Sequence, residues 1–152
     1  MDGMAEKGMV IEKGSITLEQ IIESVKSNPA FNQAGDIITF TGVVRETSIE
    51  SDKIVTGIEI ESYEEPAQIE LTKLCNELIE RHELIDVRMV HFSGIFSVGE
   101  ILIHCVIASK HRKEGFIALE EMIDEYKHRA YIFKREIYTD GTSEWISKNK
   151  PK

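Results

Sequence analysis

Hydrophobic periodicity changes abruptly across Lys127–Lys134, KHRAYIFK, and that change limits the folds open to this chain. Upstream, Phe116, Leu119, Ile123 and Tyr126 recur at helical spacing. Downstream, Tyr131, Phe133 and Ile137 alternate with Ile132, Lys134 and Glu136, which is the period of a strand. A helix therefore runs into a strand, with Lys127 in the last helical turn and Lys134 on the strand face opposite Phe133. Such a junction can aim two ammonium groups at one cleft. A plainer reading stands beside it. Lys127, His128 and Arg129 suit the negative end of a helix dipole without any function, and a solvated lysine on a strand is ordinary.

The rest of the pattern sets the fold class. Residues 1–10 are small, charged and aperiodic, which predicts a loose lead-in. Thr17 and Gln20 form a capping-box signal for a short helix through Leu18, Ile21, Ile22 and Val25, stopped by Asn28-Pro29. Asp36–Arg45 reads as a strand with both faces fairly apolar, hence central, with Gly42 marking a bulge or close approach and Arg45 closing it. A polar loop over 46–53 leads to a strand at Ile54–Ser62. Pro66 opens a second helix with Ala67, Leu71, Leu74, Leu78 and Ile79 as its buried stripe. Val87–Phe92 is a strand broken by Ser93-Gly94, and 97–100 is turn-like. Ile101–Ala108 is a continuous apolar run, best read as a buried strand. A third helix opens near Lys110–Lys113, about four turns long with its ends about 20–25 Å apart. Beyond the junction, Thr139-Asp140-Gly141-Thr142 signals a hairpin, with Trp145 and Ile146 starting a short return strand. That order predicts an α+β fold with a mixed or antiparallel sheet. The 152 residues suit one domain, 1–152, with 1–10 and 147–152 as flexible tails.

Composition narrows the chemistry. The net charge of -9 argues against nucleic-acid or anionic-membrane binding, so an anion site must be a local basic pocket on an acidic body. Only two cysteines occur, Cys75 and Cys105, both within apolar patterns and neither at metal-binding spacing. No apolar leader or membrane-spanning run is present, so the expected compartment is the cytoplasm. No nucleotide-binding glycine loop, zinc motif or nucleophile elbow appears. His91 and His104 have no ligand-like spacing and read as ordinary core histidines.

The basic residues cluster late, at 110–113 and 127–135. Lys110, His111, Arg112 and Lys113 crowd a helix start, which already carries partial positive charge. Solvation makes that tolerable; a bound anion would make it favourable. One helix separates the clusters, so one small ligand cannot touch both ends of it. Either there are two sites, or a second subunit brings its helix start beside the first subunit's helix end, as in a symmetric dimer.

Taken in order, TFTGVVR (39–45), SVGE (97–100), IASKHR (107–112) and LEEMIDEYKHRAYIFKRE (119–136), with Asp140-Gly141 and Trp145, resemble the large, catalytic subunit of molybdopterin synthase. The resemblance implies an α/β-hammerhead type of fold with a small additional β subdomain. It implies a sulfurtransferase that takes sulfur from the C-terminal Gly-Gly thiocarboxylate of a small ubiquitin-like carrier. The acceptor would be cyclic pyranopterin monophosphate, converted to the dithiolene of molybdopterin. It further implies a homodimer, which with two carriers makes a heterotetramer, and no cofactor, since the sulfur arrives on the partner. By position, Lys127 and Lys134 match the family's active-site lysines, Arg45 its strand-end arginine, and His111 and Arg112 the substrate-side pair supplied by the other subunit. Lys127 is the first choice for direct chemistry; Lys134 is expected to position the carrier tail. Tyr131 and Phe133 stand where the family usually has proline and tryptophan. Those departures leave an alternative open, a non-enzymatic docking module for a ubiquitin-like protein.

Overall fold

The computed structural model describes residues 4–146. The elements in order are β1 (Gly8–Glu12), α1 (Leu18–Lys26), a 3-10 turn (Phe31–Gln33), β2 (Asp36–Val43), β3 (Val55–Ser62), α2 (Glu64–His82), β4 (Asp86–Ser97), β5 (Ile101–Ser109), α3 (Arg112–Arg129), β6 (Ile132–Tyr138) and β7 (Ser143–Trp145). The strands form one seven-stranded sheet in the order β2-β5-β4-β3-β6-β7, with β1 alongside β4. Only the β1–β4 pairing is parallel, so the fold is α+β with a mixed sheet, as the sequence predicts.

Four expectations need correction. The lead-in over 1–10 ends in structure: Gly8–Glu12 pairs with Met89–Ser93 and buries Val10. Five residues are too few to display a strand period against charged flanks. Residues 1–3 and the expected tail at 147–152 lie outside the described residues. β2 is an edge strand, paired with β5 alone, not a central one. Its other edge is open, and Phe40 is 37% and Val43 52% exposed. It ends at Val43, two residues before Arg45, with a register shift between Gly42 and Val43. Gly94 does not end a strand either. β4 runs through it, and Gly94 takes φ +124°, a backbone angle that favours glycine. Before that point β4 pairs with β1 and β5; after it, with β3. Gly94 thus turns the chain from the main layer into the smaller β3-β6-β7 layer that carries Lys134.

The fourth correction concerns α3. Its buried face centres on Gly115, Ala118, Met122 and Tyr126; Leu119 and Ile123 pack at its margin, and Phe116 falls outside it. Small residues decide the rotation. A Cβ added at Gly115 would sit 2.6 Å from Ile38 Cδ1 and 2.7 Å from Ser109 Oγ, so only glycine lets the first turn lie this close to the sheet. Phe116 is left 57% and Ile117 45% exposed.

The helix ends follow their local chemistry. Thr17 caps α1, accepting from the Gln20 N–H at 3.2 Å, while the Gln20 side chain accepts from the Thr17 N–H at 2.9 Å. Glu64 and Glu65 sit in the first turn of α2, where acids suit the dipole, and Glu83 ends that helix at φ 51°. Arg81 donates to Glu125 at 3.0 Å, and Arg129 bridges Glu70 and Glu77, tying α2 to α3. The core lies between these helices and the sheet and includes Leu71, Leu74, Cys75, Leu78, Met89, Cys105, Ile107 and Met122. Burial raises the Cys75 thiol to about 12 and moves the Cys105 thiol the same way, so both cysteines behave as apolar packing groups.

His91 gives the fold an acid limit. It is 1% exposed, and its Nδ1 donates to the Phe92 carbonyl at 2.9 Å. Burial lowers its pKa from 6.5 to about 4, the Phe92 hydrogen bond opposes that shift, and the Lys134 charge reinforces it. The unfolded chain therefore binds the extra proton first, and stability falls as pH drops from about 6.5 to about 4. A shift of that size corresponds to about 3 kcal/mol across the window. Thermal melts between pH 7 and pH 4 should show a shallower acid decline for His91→Gln than for the parent chain. Parallel declines would remove His91 as the cause.

Candidate active site

The junction between α3 and β6 is short. The helix ends at Arg129, Ala130 caps it in extended conformation, and β6 begins at Ile132. Lys127 is therefore carried on the last helical turn, exposed, and Lys134 on the third residue of the strand, half-buried. Alternation along β6 puts Ile132, Lys134, Glu136 and Tyr138 on the inner face. Phe133 and Ile137 lie on the opposite, outer face, as the alternation predicts.

Lys134 is the group whose ionisation is most altered in the cluster. Burial lowers its pKa below the ordinary lysine value, and the Lys127 charge pulls the same way. Glu136 opposes them, and Arg45 adds a further downward pull. Three predicted residues, Arg45, Lys127 and Lys134, thus come from β2's exit, α3's end and β6 to one place. A carboxylate offsets part of their effect on Lys134.

That carboxylate is Glu136, 1% exposed. It accepts from Ser48 Oγ at 2.7 Å, from the Ile49 N–H at 3.1 Å and from the Tyr138 hydroxyl at 2.9 Å. These bonds clamp the loop over 46–53, which leaves directly from Arg45, onto the strand that carries Lys134. The β4–β5 turn holds the other side of the same exit: the Val44 N–H donates to the Glu100 carbonyl at 3.0 Å, and Gly99 donates to the Val44 carbonyl at 2.7 Å. Sequence reading missed Glu136 as a site residue. The available signal was its spacing of two from Lys134, which places both on one strand face.

Above the inner face, the buried His91 ring lies 5.8 Å from the Tyr126 ring, one residue before Lys127. On the outer side, Tyr63 packs against both departures from the family pattern. Its ring centroid is 5.1 Å from Phe133, edge-on, and 6.3 Å from Tyr131. The Tyr63 N–H also donates to the Tyr131 carbonyl at 3.0 Å. An aromatic contact and a backbone bond thus hold the junction where proline is absent.

His111 and Arg112 do not join this cluster within one chain. His111 is the N-cap of α3 and Arg112 its first helical residue, both exposed. With 18 residues in the helix, they sit about 27 Å from its other end. There they line a separate cleft of about 580 Å³ with Lys110, Lys113, Asp36 and Phe116. Three cationic side chains thus line it at a helix N-terminus, a setting that favours an anion, against the single carboxylate of Asp36. Among the described residues, no group of three or more histidine, cysteine or carboxylate side chains is arranged to hold a metal ion. No helix there is long and apolar enough to cross a membrane.

Comparison with known proteins agrees with this architecture. Residues 11–129 match the model of the MoaE protein family. A molybdopterin synthase catalytic subunit from Pyrococcus abyssi is 32% identical over 144 residues, 95% of this chain and 93% of that protein. A probable molybdopterin synthase from Haloferax volcanii is 35% identical over 125 residues, 82% of this chain, which spans about half (48%) of that longer relative. Among solved structures, molybdopterin synthase from Staphylococcus aureus superposes with a TM-score of 0.80 at 26% identity, covering 94% of this chain and 98% of that one. A chain in the complex of subunits 1 and 2 of molybdopterin-converting factor from Helicobacter pylori shares the fold, with a TM-score of 0.69 at 20% identity over 94% and 92% of the two chains. With the family model matched over most of its length and the same fold in the solved structures, the chain belongs to the MoaE family, that of the molybdopterin synthase catalytic subunit.

Proposed function

We propose that this chain is a molybdopterin synthase catalytic subunit that moves sulfur from the thiocarboxylate tail of a small ubiquitin-like carrier to cyclic pyranopterin monophosphate. The carrying observation is the convergence of Arg45, Lys127 and Lys134 over one buried carboxylate. A thiocarboxylate is an anion, and two ammonium groups at a helix–strand junction are suited to receive it. The thiocarboxylate sulfur attacks an oxygen-bearing substrate carbon: the C–S bond forms as that carbon's C–O bond breaks, the oxygen leaving with the phosphate or, after protonation, as water, and the sulfur is left acylated by the carrier. Water then cleaves the acyl–sulfur bond, releasing the carrier as a carboxylate and leaving sulfur on the pterin. Lys127 polarises the carbonyl that this cleavage attacks, and Lys134 anchors the tail. A second round with a fresh carrier completes the dithiolene. The chemistry needs no cofactor and no cysteine of this chain, in keeping with two buried, unreactive thiols.

His111 and Arg112 hold the substrate phosphate from the neighbouring subunit. Their distance from Lys127 within one chain supports that arrangement, as does the apolar surface left open on β2 and on the first turn of α3, where Phe40, Val43, Phe116 and Ile117 are exposed. A dimer of this chain with a carrier at each end makes a heterotetramer. The solved complex of two converting-factor subunits, whose one chain shares this fold, supports a small-subunit partner. A docking module without activity is the weaker reading, because both lysines and the carboxylate beneath them are in place.

Four outcomes test this reading. Sedimentation of the isolated chain at micromolar concentration should give about twice the 17.3 kDa of one chain. A strictly monomeric particle would end the shared-site arrangement. Arg112→Ala should weaken pterin-phosphate binding by about tenfold to a hundredfold, the loss of one charged hydrogen bond, with carrier affinity unchanged. Loss of carrier affinity instead would mean that the phosphate is misplaced. In single-turnover assays, Lys127→Arg should be nearly as inactive as Lys127→Ala, while Lys134→Arg retains measurable turnover. Because its pKa is lowered, Lys134 loses its charge as pH rises before an ordinary lysine would. Carrier binding should therefore weaken on the alkaline side, and Lys134→Arg, always charged, should flatten that limb. If Lys134→Arg is the dead variant, the two roles are reversed.

A further inference from the structure

A second cleft of about 580 Å³ opens on the far side of the sheet from the lysines. Cys105 faces α3 and lies in the core near Tyr126. His104, its neighbour on β5, therefore points to the opposite face. There the cleft is walled by Ile16, Leu18, Phe92 and Ile101, with Thr41 and His104 as polar members. His104 is only 4% exposed. Its Nδ1 lies 2.8 Å from Thr41 Oγ1, and the Phe92 ring meets it edge-on at 5.7 Å. Its Nε2 has no hydrogen-bond partner among the described residues. That nitrogen borders the open space of the cleft, where a ligand group can meet it.

We propose that this cleft is a binding site for a neutral aromatic molecule of one or two rings carrying a single hydroxyl group. The volume lies in the range of small-molecule pockets, which combine apolar walls with a few placed polar groups. Neutrality follows from the rim. Lys13 and Glu100, its charged members, are paired with each other at 3.1 Å, and burial lowers the His104 pKa, which favours the uncharged ring. The hydroxyl follows from the tautomers. If Thr41 donates to Nδ1, Nε2 carries the proton and donates; if Nδ1 donates to Thr41, Nε2 accepts. A hydroxyl satisfies either state, whereas a bare ring satisfies neither. The aromatic body follows from the Phe92 and His104 rings, which offer an edge-and-face wall.

The test is an NMR titration of the full chain with two probes matched except for the hydroxyl, 4-ethylphenol and ethylbenzene. Saturable shifts should appear at Thr41, Phe92, Gly99 and His104, with 4-ethylphenol bound about tenfold tighter, the worth of one hydrogen bond. His104→Phe should abolish that preference while ethylbenzene still binds. Ile101→Trp, at the exposed mouth, should weaken both probes and keeps the test decisive if His104→Phe does not fold. No cleft-localised shift at millimolar 4-ethylphenol, equal affinity for the two probes, or shifts centred on Lys127 and Lys134 would each overturn the proposal. So would cleft resonances that move on concentrating the protein alone, since a second copy would then cover this face.

Discussion

The candidate site depends on a carboxylate that solvent does not reach. Two lysines and an arginine brought together repel one another, and Lys134 is partly out of water besides. Left alone, that arrangement would drive the lysine to shed its proton or swing away. Glu136, on the same strand face two residues on, supplies the opposing charge. It is itself tolerable in the interior only because Ser48, the Ile49 N–H and Tyr138 all donate to it. The carboxylate therefore acts twice: it opposes the downward pull on the Lys134 pKa, and it fastens the loop that begins at Arg45 to the strand that carries Lys134.

This double duty explains which parts of the site were legible in the sequence. Lys127 and Lys134 could be placed because a change of period is local: helical spacing up to Tyr126 and alternation after Tyr131 fix where each side chain sits on its own element. Arg45 could be placed near a strand end for the same reason. Their convergence could not be read, because it rests on pairings between distant segments, Ile60 with Lys134 and Ser48 with Glu136. Glu136 looked like one more solvated acid among 27. Only the partners that bury it separate it from the others.

The errors in the fold have a related origin. Hydrophobicity marks surfaces that leave water, but does not say what covers them. β2 reads as central because Ile37, Ile38, Phe40 and Val43 supply both faces, yet one edge has no strand beside it. α3 reads as buried through Phe116, yet the helix turns Gly115 and Ala118 to the sheet because small residues permit the closer approach. Both mistakes leave large apolar side chains outside, at β2 and at the first turn of α3. Such residues are better evidence for a second surface than for a larger core.

The two ends of α3 then have different physical tasks. At the C-terminal end the helix dipole favours cations, so Lys127 lies where its charge is welcome before any substrate arrives. At the N-terminal end the dipole opposes the Arg112 charge, which becomes favourable only when an anion joins it. A rigid helix of 18 residues holds these ends too far apart for one small substrate. On the function proposed above, the two ends come from different copies. The lysines proposed to bind the tail are then held within one chain around Glu136, while the pair proposed to bind phosphate is placed beside them by how two chains pack.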